Sequence, residues 1–372
     1  MYELIREGKA LIRVPKVSKI SKEMEVFYNP IMKFNRDISI LLLNSIDKNN
    51  LQICDLLAGS GVRSIRFLLE LKKKKIKSII INDYSKEAIN SIKKNFQLNK
   101  INKNKIKVYN EDANLLLLKS EGFDYIDIDP FGTPNPYLDS AIRRISRGGI
   151  LAVTSTDTSA LAGTYPKACL RKYWAIPLRN ELMHEIGLRI LIRKVQLIGA
   201  QYNKALIPVF SYFKDHYVRV FFKCEKSKEE TDNILKQHGM FENSGPIWKG
   251  QLWDNKLIEK MNKSNNENPL YPMVRAKLKP IKNESNNKIL TNFLKIIKEE
   301  SKINVVGFYD IHSITEKYKI RTIPKKLELI KKIKKAGYKA SETHFNGAGI
   351  RSDIGLKELL RLILKKLINR KL

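Results

Sequence analysis

Phe123-Asp124-Tyr125-Ile126-Asp127-Ile128-Asp129-Pro130-Phe131-Gly132 is the stretch from which the fold can be read. Apolar and polar residues alternate, with Ile and aromatics dominant, which predicts a strand. The pattern stops at Asp129-Pro130. Pro130 has no N–H for a ladder and pushes Asp129 into an extended conformation. A carboxylate (Asp129), a free carbonyl (Pro130) and an aromatic ring (Phe131) are then presented together at a strand's carboxyl end, where open α/β sheets hold their ligands. The trio suits a flat molecule with an exocyclic amine: the ring stacks on it and the two oxygens accept its N–H bonds. An ordinary strand-to-loop turn with a capping Asp is the plain alternative.

The flanking sequence repeats the motif. Leu51-Gln52-Ile53-Cys54-Asp55-Leu56-Leu57 predicts a buried strand. Ala58-Gly59-Ser60-Gly61 follows, then a helix from Val62 to about Lys73 with Ile65, Leu68 and Leu69 on one face. Strand, Gly-x-Gly, helix is a nucleotide-loop pattern, because glycine lets backbone approach a ligand at a helix N-terminus. Ser64 stands where a dinucleotide fingerprint has its third glycine, which counts against a pyrophosphate-bearing cofactor. A second strand, Ser78–Asn82, ends in Asp83, placed to accept ribose hydroxyls. A third, Ile106–Tyr109, leads to Asp112 and Ala113, placed for an adenine amino group. Each acid singly reads equally as a helix cap; three carboxylates at three strand ends, Asp83, Asp112 and Asp129, read as a site. Strands alternate with helices at 86–99 and 137–145, and a fifth strand, Ile150–Val153, follows a turn at Gly148-Gly149. The expected class is α/β, a doubly wound, largely parallel sheet.

Upstream, residues 2–15 predict a β-hairpin around Glu7-Gly8-Lys9. Phe27-Tyr28-Asn29-Pro30 is an odd place for core aromatics. Arg36 opens a helix, where positive charge opposes the dipole; a ligand contact and a plain ion pair both remain open for it.

The 372 residues suggest two domains. No apolar run reaches membrane-spanning length, and the N-terminus lacks the apolar segment of a signal peptide. Cys54, Cys169 and Cys224 are far apart and odd in number, as expected of reduced thiols in a cytoplasmic protein, and no metal site is expected. The net charge is +32, and it divides evenly: 38 Lys+Arg against 22 Asp+Glu over 1–225, and 32 against 16 over 226–372. Such a field points to a polyanionic partner, most simply nucleic acid. A Lys-biased genome would explain some of the lysines but not the missing acids.

Composition shifts after Cys224. The expected division is a first domain of 1–225, carrying the sheet, and a basic second domain of 226–372, mostly helical. In the second, helices at 310–317 and 324–336, a strand near Tyr338 and a final helix at 355–370 resemble a winged-helix module able to lie on phosphates. A solvated helix bundle is the alternative.

Together these stretches resemble the S-adenosylmethionine-dependent tRNA guanine-N2 dimethyltransferases that modify guanine 26, in their archaeal form. The resemblance is carried by Phe27-Tyr28-Asn29-Pro30 with Asn35-Arg36-Asp37, Gly59 to Phe67, Asn82-Asp83, Asp127 to Gly132, Thr156-Asp157-Thr158 through Tyr165-Pro166-Lys167-Ala168-Cys169, and Gly245-Pro246-Ile247-Trp248. It implies a class I methyltransferase fold with a basic C-terminal domain and a tRNA partner; the protein is expected to be a cytoplasmic monomer. It implies that Phe27, Arg36, Gly59, Arg63 or Arg66, Asp83, Asp112 and Ala113 hold the methyl donor, and that Asp129, Pro130 and Phe131 hold the guanine. Many archaeal members carry four cysteines before the Gly-Pro-Ile-Trp stretch; here Cys224 stands alone, so no metal is expected. Two other readings stay open: an amino-methyltransferase acting on adenine or cytosine of rRNA or DNA, and a non-catalytic RNA-binding protein.

Overall fold

The computed structural model describes residues 2–16, 24–267 and 283–368. The chain opens with the expected hairpin, β1 (Tyr2–Glu7) and β2 (Ala10–Pro15). The helix α1 (Lys33–Ser45) follows. Then come β3 (Leu51–Asp55), α2 (Val62–Glu70), β4 (Ile76–Asn82), α3 (Lys86–Leu98), β5 (Ile106–Tyr109), α4 (Ala113–Lys119), β6 (Phe123–Ile128), α5 (Asn135–Arg144) and β7 (Ile145–Ser155). Two short helices, α6 (Thr158–Leu161) and α7 (Pro166–Tyr173), precede the long α8 (Met183–Ala200) and the strand pair β8 (Lys204–Lys214) and β9 (Tyr217–Lys226).

Seven strands form one sheet in the order β5-β4-β3-β6-β7-β9-β8. β3 to β7 run parallel, and β9 inserts antiparallel between β7 and β8. Strand order reverses between β3 and β6, so a crevice opens above their carboxyl ends. β3 ends at Asp55 and β6 runs into Asp129, and this junction is the point about which the molecule is organised. Helices cover both faces, which is why β6 and the second half of β7 are buried almost throughout. Gly148-Gly149, expected as a turn, lies inside β7. Phe123 pairs with Ile145 but Tyr125 with Ile150, so the extra residues bulge, with Gly148 at φ +70°.

The apolar core does not stop at residue 226. After β9 come α9 (Lys228–Leu235), a small hairpin of β10 (His238–Phe241) and β11 (Ser244–Trp248), and the paired helices α10 (Asn255–Glu267) and α11 (Asn283–Glu300). Trp253, Ile258, Leu294 and Phe308 all belong to the same buried cluster as the sheet. A second core, built from Ile311, Leu329, Ile333, Ile350, Leu359 and Ile363, lies within 309–363. There β12 (Tyr309–Asp310), α12 (Ile311–Lys317), α13 (Lys326–Lys335), β13 (Ala340–Glu342), β14 (Gly349–Ser352) and α14 (Leu356–Ile368) follow one another. The three strands pair antiparallel in the order β12-β14-β13. The stretch after Cys224 where composition shifts is thus, over 228–248, a helix and hairpin docked on the main core, because Ile234, Ile247 and Trp248 supply apolar anchors among its charges.

A buried ionic cluster joins the two cores. Arg351 on β14 donates to Glu185 of α8 at 2.6 Å and to Glu300 of α11 at 3.0 Å. His344 Nδ1 lies 2.7 Å from Glu300 Oε2. Among the described residues no helix is long and apolar enough to cross a membrane.

Candidate active site

Period-two alternation places Tyr125, Asp127 and Asp129 on one face of β6 and its extension. Asp127 is fully buried, and a buried carboxylate without partners would take up a proton rather than stay charged. It has many partners. Arg219, reaching across from β9, donates to it twice, at 3.0 and 2.7 Å, and the Tyr125 hydroxyl donates at 2.5 Å. Arg63 of α2 approaches to 3.3 Å. Burial alone would raise the Asp127 pKa, but Arg219 and Arg63 more than offset it and hold the carboxyl below its ordinary value. Arg63 bridges onward, donating from Nη2 to Asp129 Oδ2 and from Nη1 to Asn35 Oδ1 and Ser39 Oγ, the latter two at 3.1 Å. The cluster holds two guanidiniums and two carboxylates, so it is neutral, and its members hold one another in fixed positions.

Above this cluster opens a cavity of about 350 Å³, within the range of ligand pockets. Asp129, Pro130, Phe131, Phe27, Arg36 and Arg63, all expected site residues, line it. Phe131 meets Phe27 edge to face, ring centres 6.0 Å apart, yet remains 60% exposed. A large exposed ring at a cavity mouth is a stacking surface awaiting a partner. The loop carrying it is clasped by Thr156, whose Oγ1 accepts from Gly132 N at 2.7 Å while its own N–H donates to Gly132 O at 2.9 Å.

The opposite wall is the loop after β3, supplied by Asp55, Leu57, Ala58 and Ser60. Gly59 has φ +52°, and a Cβ there would meet Phe27 O at 2.6 Å, so both conformation and space require glycine. Ser60 N donates to that same Phe27 carbonyl at 3.1 Å, tying the loop to the Phe27 segment. Among the described residues the buried Ser60 Oγ has no hydrogen-bond partner, as expected of a group kept for a ligand. Ser64 bonds Asp55 at 2.6 Å, which explains why no third glycine stands there. Burial pushes the Asp55 carboxyl up to about 6, Arg63 opposing and Asp127 reinforcing the rise.

Arg36 proves to be both ion pair and cavity wall. It grips Glu7, the last residue of β1, through Nε–Oε1 and Nη2–Oε2, each 2.6 Å, and donates to Asn29 O at 3.1 Å. Tyr28 OH donates to the same Glu7 at 3.0 Å. Arg66 is the alternative to Arg63 as a donor contact. It does not line the cavity; its fully buried guanidinium is bonded to Glu7, Asp37 and Glu70 at 2.6 to 3.0 Å. Helical spacing explains the split, since residues three apart on α2 share a flank but sit one turn apart, and only Arg63 is level with the end of β6.

Asp83, Asp112 and Ala113 lie outside the cavity lining. Asp83 accepts from Gly59 N at 2.8 Å and Ser85 N at 3.0 Å. Asp112 caps α4, accepting from Asn114 N at 2.9 Å and Leu115 N at 3.0 Å, and Ala113 is buried behind it. Both acids still face common ground: the Tyr137 hydroxyl is pushed up by burial and then by Asp112 and Asp83.

Sequence reasoning did not single out Glu7, Arg219, Thr156, His216 or Tyr217 as site residues. The last three line the cavity. Arg219 carried a usable signal, a lone cation inside the apolar run Tyr217-Val218-Arg219-Val220-Phe221, which requires a buried acid opposite. Among the described residues no group of three or more His, Cys, Asp or Glu could hold a metal ion.

Comparison with known proteins agrees along the whole chain. The family model for N2,N2-dimethylguanosine tRNA methyltransferase matches residues 8–244 and 238–364. A tRNA (guanine(26)-N(2)/guanine(27)-N(2))-dimethyltransferase of Aquifex aeolicus is 38% identical over 394 residues, covering 96% of this chain and 95% of that protein. A tRNA (guanine(26)-N(2))-dimethyltransferase of Methanocaldococcus jannaschii is 36% identical over 385 residues, covering 97% and 98%. The structure of Trm1 from Pyrococcus horikoshii with S-adenosyl-L-methionine superposes with a TM-score of 0.84 at 33% identity, covering 97% of this chain and 99% of that one. Sheet order, a cavity at the switch point and matches that span nearly every residue agree, and the chain belongs to the N2,N2-dimethylguanosine tRNA methyltransferase family.

Proposed function

We propose that this protein transfers methyl groups from S-adenosylmethionine to the exocyclic N2 amine of guanine 26 in tRNA. The observation that carries the reading is the position of Asp129: a carboxylate on a cavity wall, held from behind by Arg63 and flanked by Pro130 and the exposed ring of Phe131.

The donor supplies a methyl group on a cationic sulfur. The residues present fit it. Ser60, on the cavity wall, has a buried Oγ without a partner among the described residues, Asp55 offers a negative charge, and Arg36 offers a guanidinium whose Nε and Nη2 are already fixed by Glu7. Asp83, Asp112 and Ala113, beside Tyr137 and joined to the cavity wall through Gly59, are the proposed seat of its nucleoside.

The amine of guanine is a poor nucleophile, because its lone pair is delocalised into the ring. Arg63 occupies Oδ2 of Asp129, which leaves Oδ1 to accept an amine N–H, with the Pro130 carbonyl as second acceptor. Two acceptors favour a pyramidal nitrogen with its lone pair turned to the methyl carbon, and they stabilise the positive charge that develops there. The rest is alignment of two bound molecules. Phe131 stacks on the base once it has left the helix. The module of 309–368, with Lys331, Lys334 and Lys335 exposed on α13, is the proposed winged-helix contact to tRNA phosphates. The reading takes the enzyme as a cytoplasmic monomer.

Incubation of unmodified tRNA transcript with enzyme and labelled donor, then nucleoside mass spectrometry, tests the proposal. N2-methylated guanosine is expected, and none in a transcript with adenine at position 26. Label entering DNA or rRNA amines instead, or no label, rejects it.

A further inference from the structure

The donor pocket makes no use of α7. Lys167, Leu170, Arg171 and Trp174 follow one another at i, i+3, i+4 and i+7, one face of a helix, and all four are exposed. Cys169 and Tyr173, on the other face, are buried. The outward face of a docked helix is ordinarily polar throughout. Here it carries a leucine and the single exposed tryptophan of the chain: Trp174 is 47% exposed, against 4% and 5% for Trp248 and Trp253.

Trp174 is also firmly placed. It closes α7 at φ +58°, a left-handed conformation that bulky side chains disfavour. Lys194 Nζ of α8 sits 2.9 Å from the ring centroid, and Arg193 Nη1 donates to Trp174 O at 3.2 Å. The ammonium closes one ring face; the exposure belongs to the rest of the ring. α7 itself contains no acid. Its end is tied to the loop that carries Phe131, because Tyr173 OH donates to Thr133 Oγ1 at 3.0 Å and Asn135 Nδ2 donates to Lys172 O at 2.8 Å.

We propose that this face is a stacking site for a nucleobase of the tRNA strand adjoining the target guanine, with Trp174 taking the base and Lys167 and Arg171 the phosphates on either side. The proposal rests on the reading of the protein as a tRNA methyltransferase and names a subsite of it. Charge chooses the occupant: an apolar ring bordered by cations suits a polyanion with flat bases and does not suit an apolar protein surface. The energetics agree. Drawing one base out of a helix leaves its neighbours unstacked, and a fixed aromatic ring coupled to the active-site loop replaces that stacking where it is lost.

Trp174 supplies its own probe, since the other two indoles are buried. Unmodified tRNA transcript should quench the emission accessible to acrylamide and protect it from that quencher. Trp174→Gly suits the left-handed backbone and removes the ring. It should bind the transcript about tenfold or more weakly, with the salt slope and the affinity for S-adenosylmethionine unchanged, while Trp174→Phe stays near wild type. Lys167→Ala and Arg171→Ala should each reduce the salt slope by about one. Emission indifferent to tRNA in the wild type overturns the proposal without any variant. Wild-type tRNA affinity in Trp174→Gly overturns it too, as does a changed oligomeric state with tRNA affinity intact, which would mark a protein-docking face. A wild-type enzyme that quenches with tRNA yet transfers no methyl group would reject the proposed function and leave the stacking site standing.

Discussion

Glu7 and Arg36 face each other fork to fork, with two bonds of 2.6 Å, although 29 residues separate them in the chain. Glu7 sits at the hairpin turn and Arg36 on the cavity wall, so the hairpin fixes how Arg36 points. Glu7→Gln keeps the shape and removes the charge. Arg66 keeps Asp37 and Glu70, but Arg36 loses the carboxylate it grips in a buried site, where breaking one partner of an ion pair costs about 3–5 kcal/mol. Thermal melting should fall, and the calorimetric Kd for S-adenosylmethionine should rise several-fold. An unchanged donor Kd would show that Arg36 is structural only.

The same carboxylate makes stability acid-sensitive. Glu7 and Glu300 are each drawn down to about 2. Burial opposes this, but Arg36 and Arg66 around the first, and His344 and Arg351 around the second, outweigh it. A pKa lowered in the folded state gives stability that is complete above the unfolded value and is lost as pH falls through the folded one. The window here runs from about 4.5 down to about 2, and the loss by its lower end is on the order of 3 kcal/mol for each carboxylate. Urea unfolding across that range should show the decline, and Glu7→Gln with Glu300→Gln should make it shallower, Asp127 and Glu185 supplying the remainder. A wild-type unfolding free energy independent of pH between 5 and 2 contradicts the assignment.

Much of this architecture is legible in the sequence, for a definite reason. Elements defined by local pattern, such as the alternation in Phe123–Ile128 or the Gly59-Ser60-Gly61 loop, carry their own signal. The pairings that decide a site do not. Nothing near Arg66 reveals that Glu7, 59 residues earlier, claims it, and Arg219 reaches Asp127 across 92 residues. The same holds after residue 226: charge density is local, whereas the anchoring of Trp248 and Trp253 in the main core is visible only once the chain is folded.

Asp129→Ala should abolish methyl transfer. Because Asp129 is bonded to Arg63 and not to the Gly59 loop, donor affinity should change little. Asp129→Asn is the sharper variant. Its amide keeps one acceptor oxygen but no charge, so kcat should fall by about 10² or more with KM for donor near wild type. Full turnover in Asp129→Asn would remove the carboxylate from the mechanism.

Asp55 predicts a second pH effect, on binding. With its carboxyl pushed up to about 6, the free protein carries a proton there below that pH. A cationic donor entering the shared cavity favours the charged carboxylate, so binding should release the proton and strengthen as pH rises through about 6. Calorimetry in two buffers of different ionisation enthalpy measures the proton directly. Asp55→Asn should bind more weakly and without the pH dependence; a variant that keeps it assigns the titration to another group.

Electrostatic binding of tRNA by the C-terminal module is best tested by point substitution. Removing residues 226–372 would strip Trp253, Ile258 and Leu294 from the main core, and even a cut after Phe308 would leave Glu185 and Glu300 without Arg351. Lys331, Lys334 and Lys335 are exposed on α13 and belong to neither core. If they lie on phosphates, changing all three to Ala should weaken tRNA binding at about 100 mM salt. It should also reduce the magnitude of the slope of log K against log salt by about one for each phosphate no longer neutralised. Methylation at saturating tRNA should be little altered, because α13 contributes nothing to the cavity. An unchanged slope would place the RNA on another face and leave α13 an ordinary solvated helix.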